Sequence, residues 1–311
     1  MKHLIKKISI AGLILMLAFA CKSGNNGNSE KYTFEYNLPQ GEIFKQVVSM
    51  ESKTTQEFMG QKMKSDINMN MSSLYHINDV NDDNYIVTMT MDAIRMDMSV
   101  MGMTVSYDSD TDEEKAYGQN LSPVFKAMTN IPVEVEINRN GEMKSAKGFE
   151  KILDAMNEAA SELDEETKEL FFKEIHKQFS DKAIKESFEQ STMYLPKKPV
   201  AIGEKWNMEV KTVASYAFDI RMELQLISVN DNVAIIEGTG KVSTSSGGME
   251  QEVNGIETKI NLSGTQTATI EIDTQTGWVI NAIIEQDMKG KIEAMGMEIP
   301  QNTVNIIKIT N

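Results

Sequence analysis

Long stretches of this chain place an apolar side chain at every second position, and that period decides most of what the chain can fold into. Successive side chains of a strand point to opposite faces, so such alternation describes strands buried on one side only. Met63, Ile67, Met69 and Met71 share one parity, and Lys62, Lys64, Asp66, Asn68 and Asn70 take the other. Val87, Met89 and Met91 continue the theme, then Ile94, Met96, Met98 and Val100. Earlier, Tyr32, Phe34, Tyr36 and Leu38 alternate with polar partners, as do Phe44, Val48 and Met50, with Gln46 interrupting that series. The breaks are legible too. Met59-Gly60 and Met101-Gly102 interrupt alternating runs where glycine permits the positive φ of a tight hairpin. Asn81-Asp82-Asp83-Asn84 and Asn138-Arg139-Asn140-Gly141 read as polar turns, so residues 32–146 are expected to form an antiparallel meander.

The period then changes. Phe149, Ile152, Leu153 and Met156 fall on one helical face, Leu163, Leu170, Phe171 and Ile175 suggest a second helix, and Ser180-Asp181 caps a third carrying Ile184 and Phe188. Leu195-Pro196-Lys197-Lys198-Pro199 ends this insert, because proline cannot continue a helix. Alternation resumes in Phe218, Ile220, Met222, Leu224 and Leu226, turns at Val229–Asn232, and returns through Val233 to Ile236. Further strands are expected at Ile270-Glu271-Ile272, from Trp278 to Ile284 and from Val304 to Ile309. The two β segments read as copies. Gly41-Glu42-Ile43-Phe44 matches Gly203-Glu204-Lys205-Trp206, and Val80-Asn81-Asp82 matches Val229-Asn230-Asp231. Val135–Asn138 with Gly141 matches Ile270–Asp273 with Gly277, and Met101-Gly102-Met103 echoes Met295-Gly296-Met297. The expected fold is mainly β with a helical insert (α+β): two related antiparallel meander or half-barrel units bracketing two to three helices. The units are 32–146, 147–195 for the helical insert, and 196–311.

The first seven residues carry Lys2, Lys6 and Lys7, every side chain from Ile8 to Ala20 is apolar or small, and the only cysteine, Cys21, follows. A basic start and a short apolar run are the marks of a secretory signal peptide. At about 1.5 Å per residue that run reaches about 20 Å, short of a roughly 30 Å hydrocarbon core. Residues 1–20 are therefore read as the leader, and residues 21–31, Ser/Gly/Asn-rich, as a flexible tether. Leu17-Ala18-Phe19-Ala20-Cys21 resembles the bacterial lipobox, with Ala18 where leucine is commonest. The resemblance implies cleavage between Ala20 and Cys21 and lipid attachment to the Cys21 thiol. It also implies residence in the cell envelope, with Lys22 favouring the outer membrane, facing the periplasm. Losing the leader lowers the formal charge from −15 by the three lysines, to −18. So acidic a chain repels phosphate, which excludes nucleic acid as a partner. With Cys21 lipidated no thiol remains for a disulfide or a redox site.

The leader, the Gly-Glu-x-Phe/Trp openings, the Met-Gly-Gln/Met turns, Tyr107-Asp108-Ser109 and Gly203-Glu204-Lys205-Trp206 resemble a family of Gram-negative envelope lipoproteins of unknown function. The resemblance covers nearly all of residues 32–311 and implies no activity. The long meanders with interposed helices also resemble, in fold alone, the half-barrels of lipoprotein-localisation carriers.

Methionine is the compositional outlier, with 23 in the chain. Met-x-Met pairs can hold Cu(I), but period-two strands generate the same pairs wherever methionine fills one face. His76 stands one residue off the Met69/Met71 face and His176 falls in the helical insert, so imidazole support for copper is thin. Methionine is also unbranched and polarizable, suited to surfaces that accept apolar ligands of varied shape. Met69, Met71, Met89, Met91, Met96, Met98, Met222 and Leu224 are the expected lining for a lipid or other hydrophobic small molecule. Asp108, Asp110 and Asp112 have the oxygen spacing of a calcium loop, yet Glu113 and Gln119 stand where that loop requires Gly and Glu, so no metal or other cofactor is expected. The chain carries no Gly-x-Ser-x-Gly elbow, His-Glu-x-x-His or phosphate loop. A non-enzymatic binding module for a hydrophobic ligand is expected; the alternative is a structural or interaction lipoprotein that docks another envelope protein.

Overall fold

The computed structural model describes residues 30–311 apart from 82, 101–102, 111–113, 116–120, 166–167, 170–171, 173–174, 177–182, 186–187, 189–193, 212–216, 245–247 and 254–255. Its strands are β1 (Lys31–Tyr32), β2 (Ile43–Phe58), β3 (Gln61–Asn81), β4 (Asn84–Val100), β5 (Met103–Asp108), β6 (Glu114–Lys115), β7 (Pro132–Asn138) and β8 (Met143–Lys147). In the second half come β9 (Val200–Ala201), β10 (Lys205–Lys211), β11 (Phe218–Asn230), β12 (Val233–Thr244), β13 (Met249–Val253), β14 (Ile256–Asp273), β15 (Val279–Ala294) and β16 (Met297–Thr310). The helical elements described over their whole length are α1 (Ser122–Lys126), α2 (Phe149–Ala159) and a 3-10 turn at Ala160–Glu162.

Fourteen strands form one antiparallel sheet in the order β10-β11-β12-β14-β15-β16-β2-β3-β4-β5-β6, with β13 beside β14 and β7-β8 continuing from β4. This corrects the expectation of two separate half-barrel units. The join is the ladder between β16 and β2, which runs from Gln301 opposite Gln56 to Thr310 opposite Val47. On the edge away from β3, β4 serves two neighbours: its distal half pairs with β5 and its first half with β7. The strands are unusually long. At about 3.3 Å per residue, 16-residue β2 spans about 50 Å.

One face of the sheet, here the inner face, carries the packed side chains. In the second half Leu224, Leu226, Ile236, Ile270 and Ile272 are buried there, while Glu223, Glu237 and Thr269 point out into solvent. In the first half Ile77, Tyr85, Val87, Val135 and Ile137 do the same. Ile152 and Met156 of α2 pack with Val124 of α1 and Val133 of β7, placing the helices over the first part of this face. The stripe expected from Phe149, Ile152 and Met156 thus becomes α2; in the expected helices at 163–175 and 180–188 the described residues Glu165, Lys168, Glu169, Phe172, Ile175, Ala183, Ile184, Lys185 and Phe188 are helical, and the intervening positions 166–167, 170–171, 173–174, 180–182 and 186–187 lie outside the described residues. Helix α1 had no periodic signal; Pro123 in its first turn is its main local cue.

Residues 33–40 alternate as expected but do not form a strand, since only Lys31–Tyr32 pairs, with Val200–Ala201. The segment instead crosses the ends of the sheet as a strap. Tyr36 N–H donates to Arg139 O at 2.7 Å and Asn37 N–H to Thr276 O at 2.9 Å, so the strap binds one turn from each half. Phe34, Tyr36 and Leu38 are buried beneath it. Trp278 follows Thr276 and packs into the first half against Phe44 (4.8 Å between centroids) and Tyr75 (5.3 Å). The alternation was real, but what it faced was strand ends rather than a neighbouring ladder.

The two halves use the same devices at matching places. Gly41 N–H donates to Ile77 O and Ile77 N–H to Glu42 O; Gly203 N–H donates to Leu226 O and Leu226 N–H to Glu204 O. The glycines have φ of 86° and 85°. A register shift follows Ile77 in one half and Leu226 in the other. Asn138 Oδ1 accepts from Asn140 and Glu142 N–H, while Asp273 Oδ1 accepts from Gln275 N–H.

Candidate functional site

Strand register decides which of the methionines meet. Met50 of β2 stands opposite Met69 of β3, and Met69 opposite Met96 of β4; Ile307 of β16 extends the row on the other side. A second row joins Ile309, Val48, Met71 and Ile94, and a third joins Ser52, Ile67 and Met98. Met89 and Met91 have the opposite parity in β4, yet they reach the same face. Ala93 pairs with Ser72 and Met91 with Ser73, so Asp92 is the extra residue of a bulge that resets the alternation. Lys45 Nζ holds the Asp92 carboxylate at 3.3 Å.

These rows are not a filled core. Met50, Met69, Met71, Met91, Met96 and Met98 are all half-buried. Met89 is the one that packs against the helical cluster. Met222 and Leu224 lie elsewhere, 3% and 0% exposed in the packed core of the second half. Gly238 and Gly240 face them across the ladder, and a Cβ on Gly238 would lie 2.3 Å from Leu224 Cδ2. That space is already filled, so neither side chain borders an open surface.

A polar band that pattern reading missed borders the methionine rows. Gln266 of β14 is 1% exposed, and its amide donates to Met222 Sδ at 2.9 Å and lies 3.4 Å from the Tyr194 hydroxyl. Gln286 of β15 donates to Gln266 Oε1 at 2.8 Å, and Asn305 of β16 donates to Gln286 Oε1 at 3.0 Å. Asn305 stands opposite Ser52, beside the Ile307–Met50 pair. Farther along, Thr54 and Thr303 hydroxyls meet at 3.1 Å and Gln56 donates to Gln301 at 3.0 Å. Burial pushes the Tyr194 hydroxyl up to about 12, against a small downward pull from Gln266, so it stays a neutral hydrogen-bonding group. The band grades from the interior at Gln266 to half-buried Gln286 and Asn305. A signal existed: all three amides sit at the apolar parity of alternating strands.

His76 is exposed, at the parity of β3 opposite to Met69 and Met71, and His176 lies tilted beside Phe172, 6.1 Å between ring centroids. Asp108 approaches Arg95 Nη1 at 3.8 Å and accepts from Asp110 N–H, while Asp112 lies outside the described residues. Among the described residues no group of three or more His, Cys, Asp or Glu side chains is placed to hold a metal ion. Ala20 and Cys21 also lie outside them. A cleft of about 640 Å³ opens among Ser243, Asn261, Ser263, Lys289 and Lys291 and touches none of the methionines. Its lysines are engaged, Lys289 by Asp287 and Lys291 by Glu293 and Glu298. Among the described residues the inner face around the methionine rows offers thioethers, aliphatic groups and neutral amides.

A family described as "Family of unknown function (DUF6263)" matches residues 82–279. No curated protein matches the chain. Among solved structures the chain is similar to one described as lipid–protein interactions in lipovitellin, with 9% identity over 88% of this chain and a TM-score of 0.48. It spans only 25% of that chain's length. It is also similar to the translocator domain of autotransporter NalP from Neisseria meningitidis (7% identity, 88% of this chain, 90% of that chain, TM-score 0.18). A third likeness is to Pseudomonas aeruginosa OccK2 (OpdF) in complex with glucuronate (5% identity, 87% of this chain, 98% of that chain, TM-score 0.19). No ligand or role carries over from these three. Among the described residues no helix is long and apolar enough to cross a membrane.

Proposed function

Starting from the fact that this chain belongs to the DUF6263 family, a family of unknown function, we propose that it is an envelope lipoprotein that binds an acyl chain on its methionine face. The leader and Leu17–Cys21 support the anchor. The observation that carries the binding reading is the contrast in burial along one face. Ile77, Tyr85 and Val87 are closed into a core, while Met50, Met69 and Met96, in register with one another, remain half-buried. A chain laid on these rows would bury apolar surface at roughly 25 cal/mol per Å². Flexible thioethers adapt to a ligand whose shape varies. The adjoining band of Gln286 and Asn305 presents neutral amides, which suit an ester or amide head better than a phosphate. The matching turns of the two halves support a repeated unit, of which only the first keeps its face open.

The chain beginning at Lys22 retains every described element, so it is the form to test. Its native mass spectrum is expected to show co-purified lipid, and delipidated protein is expected to take up a fluorescent fatty acid. Replacing Met50, Met69 and Met96 by Ser is expected to weaken that uptake at least about tenfold. Replacing them by Leu is expected to preserve uptake and folding, because such swaps cost less than about 1.5 kcal/mol each. A lipid-free mass with no uptake by the folded wild type would sink the reading. For the anchor, Cys21→Ser in the precursor is expected to abolish palmitate labelling; unchanged labelling would remove Cys21 as the attachment site.

A further inference from the structure

At the distal end of the sheet two neighbouring hairpins, β2–β3 and β15–β16, turn on the same dipeptide, Met59-Gly60 and Met295-Gly296. They are neighbours because β16 pairs with β2. Met59 is 80% exposed and Met295 71%, and Met297 beside the second turn is 37% exposed. Exposure alone is ordinary for a single methionine. The backbone makes these two unusual. Both turns are left-handed at each central residue, with φ of 51° and 77° at the first and 52° and 74° at the second. Turns of that kind favour Asn-Gly or Asp-Gly, since most other side chains are strained at positive φ. The same chain follows that preference at the opposite end of the sheet, where β11 turns into β12 through Asp231 (47°) and Asn232 (65°). Methionine has therefore been placed twice where it costs local stability and stays largely exposed.

We propose that this distal rim is a lipid-contact site, at which Met59 and Met295, with Met297 beside them, dip into the interface of a bilayer. Isolated flexible apolar side chains at adjacent tips suit a fluid surface, because they present no shaped groove or flat face to a folded partner. Electrostatics agree. The chain as a whole carries a formal charge of −15, whereas residues 56–64 and 289–301 hold four lysines (Lys62, Lys64, Lys289, Lys291) against three glutamates. The rim is thus nearly neutral and escapes the repulsion that an anionic bilayer imposes on the rest of the molecule. Acid returns on the adjacent β13–β14 hairpin, at Glu250 and Glu257, which bounds the contact on that side. Lysine stems behind the methionines can lie along the acyl boundary while their ammonium groups stay among the headgroups. This surface lies beyond the acyl-binding reading and does not depend on it.

The test is flotation of the chain beginning at Lys22 with vesicles of mixed phosphatidylethanolamine and phosphatidylglycerol, which removes the covalent anchor from the comparison. Wild type is expected to float with the vesicles. The double variant Met59→Asn, Met295→Asn is expected to lose at least about tenfold in partitioning, since two apolar contacts with the interface disappear. Asparagine suits these turns, so the variant's thermal midpoint is expected to equal or exceed that of wild type. Failure of the wild type to float, or equal flotation of a folded double variant, would overturn the proposal. A variant that floats unchanged but loses self-association on gel filtration would also overturn it, by showing that the tips meet a second copy. Fatty-acid uptake measured on the same two proteins is expected to be equal, so failure of the rim and failure of the inner face register in different experiments.

Discussion

Gly277→Val is expected to be the most damaging single substitution among the described residues, lowering folding stability by on the order of 4 kcal/mol or preventing folding. Two penalties coincide there. Gly277 has φ of +72°, and a Cβ built on it falls 2.2 Å from the carbonyl oxygen of Glu35 and 3.1 Å from the amide nitrogen of Tyr36. Those atoms belong to the strap, whose next links are the Tyr36–Arg139 and Asn37–Thr276 hydrogen bonds. A side chain must therefore lift the strap and uncover Phe34 and Tyr36, or else force the turn out of its own geometry. The molecule supplies its own control. Gly41 and Gly203 have similar φ, +86° and +85°, yet a Cβ on either meets nothing within 4 Å. Gly41→Ala and Gly203→Ala are expected to cost only the conformational penalty, about 1 kcal/mol. Urea midpoints of the three variants check the prediction. If Gly277→Val fell within about 1 kcal/mol of Gly203→Ala, the strap would not be a tight contact.

The second large effect is expected at Gln266. Gln266→Glu places a carboxyl at a site 1% exposed, among Tyr194, Met222 and Gln286, none of which is cationic. Burial raises the folded-state pKa of such a group above its unfolded value near 4.3. Below that unfolded value the carboxyl is neutral in both states and the variant is expected to approach wild type. As pH rises the unfolded state loses its proton first, and stability falls. By pH 7 the loss is expected to reach roughly 3–4 kcal/mol, the cost of holding the group protonated. Gln266→Leu removes the acceptor for Gln286 without adding charge and is expected to cost about 1–3 kcal/mol at every pH in this range. Unfolding free energies at pH 4 and pH 7 separate the two. A pH-independent loss in the glutamate variant would mean that water reaches the site.

What the sequence disclosed and what it withheld differ in a consistent way. Local period and turn chemistry marked most of the strands, the Met59-Gly60 turn, the Asn138–Gly141 turn and α2. The pairing of β16 with β2 had no local mark, because hydrogen bonding between strands is made by backbone and leaves little trace in side-chain pattern. It is that pairing which turns two expected units into one sheet. Residues 33–40 show the opposite case: their alternation was plain, but the same pattern serves any extended segment with one side covered. The methionine face was partly legible. Val87, Met89 and Met91 are odd, Ile94, Met96 and Met98 are even, and this change of parity is the signature of the bulge at Asp92. Met222 and Leu224 look identical to the others in pattern; the glycines opposite them, Gly238 and Gly240, decide that their space is closed, and that depends on register. The amide band was readable as polar residues at apolar parity, although its connection from Gln266 through Gln286 to Asn305 required three strands to be set side by side.

The ladder between β16 and β2 also has a kinetic consequence. Its partners, such as Thr303 and Thr54, lie about as far apart along the polypeptide as any described pair in the molecule, so the middle of the sheet is closed by a segment synthesised long after β2. Contact order is high for that reason, and folding is expected to be correspondingly slow, since loop-closure entropy is spent before the reward arrives. Until β16 docks, β2 and β15 each present an unpaired edge, through which an incompletely folded chain can join another.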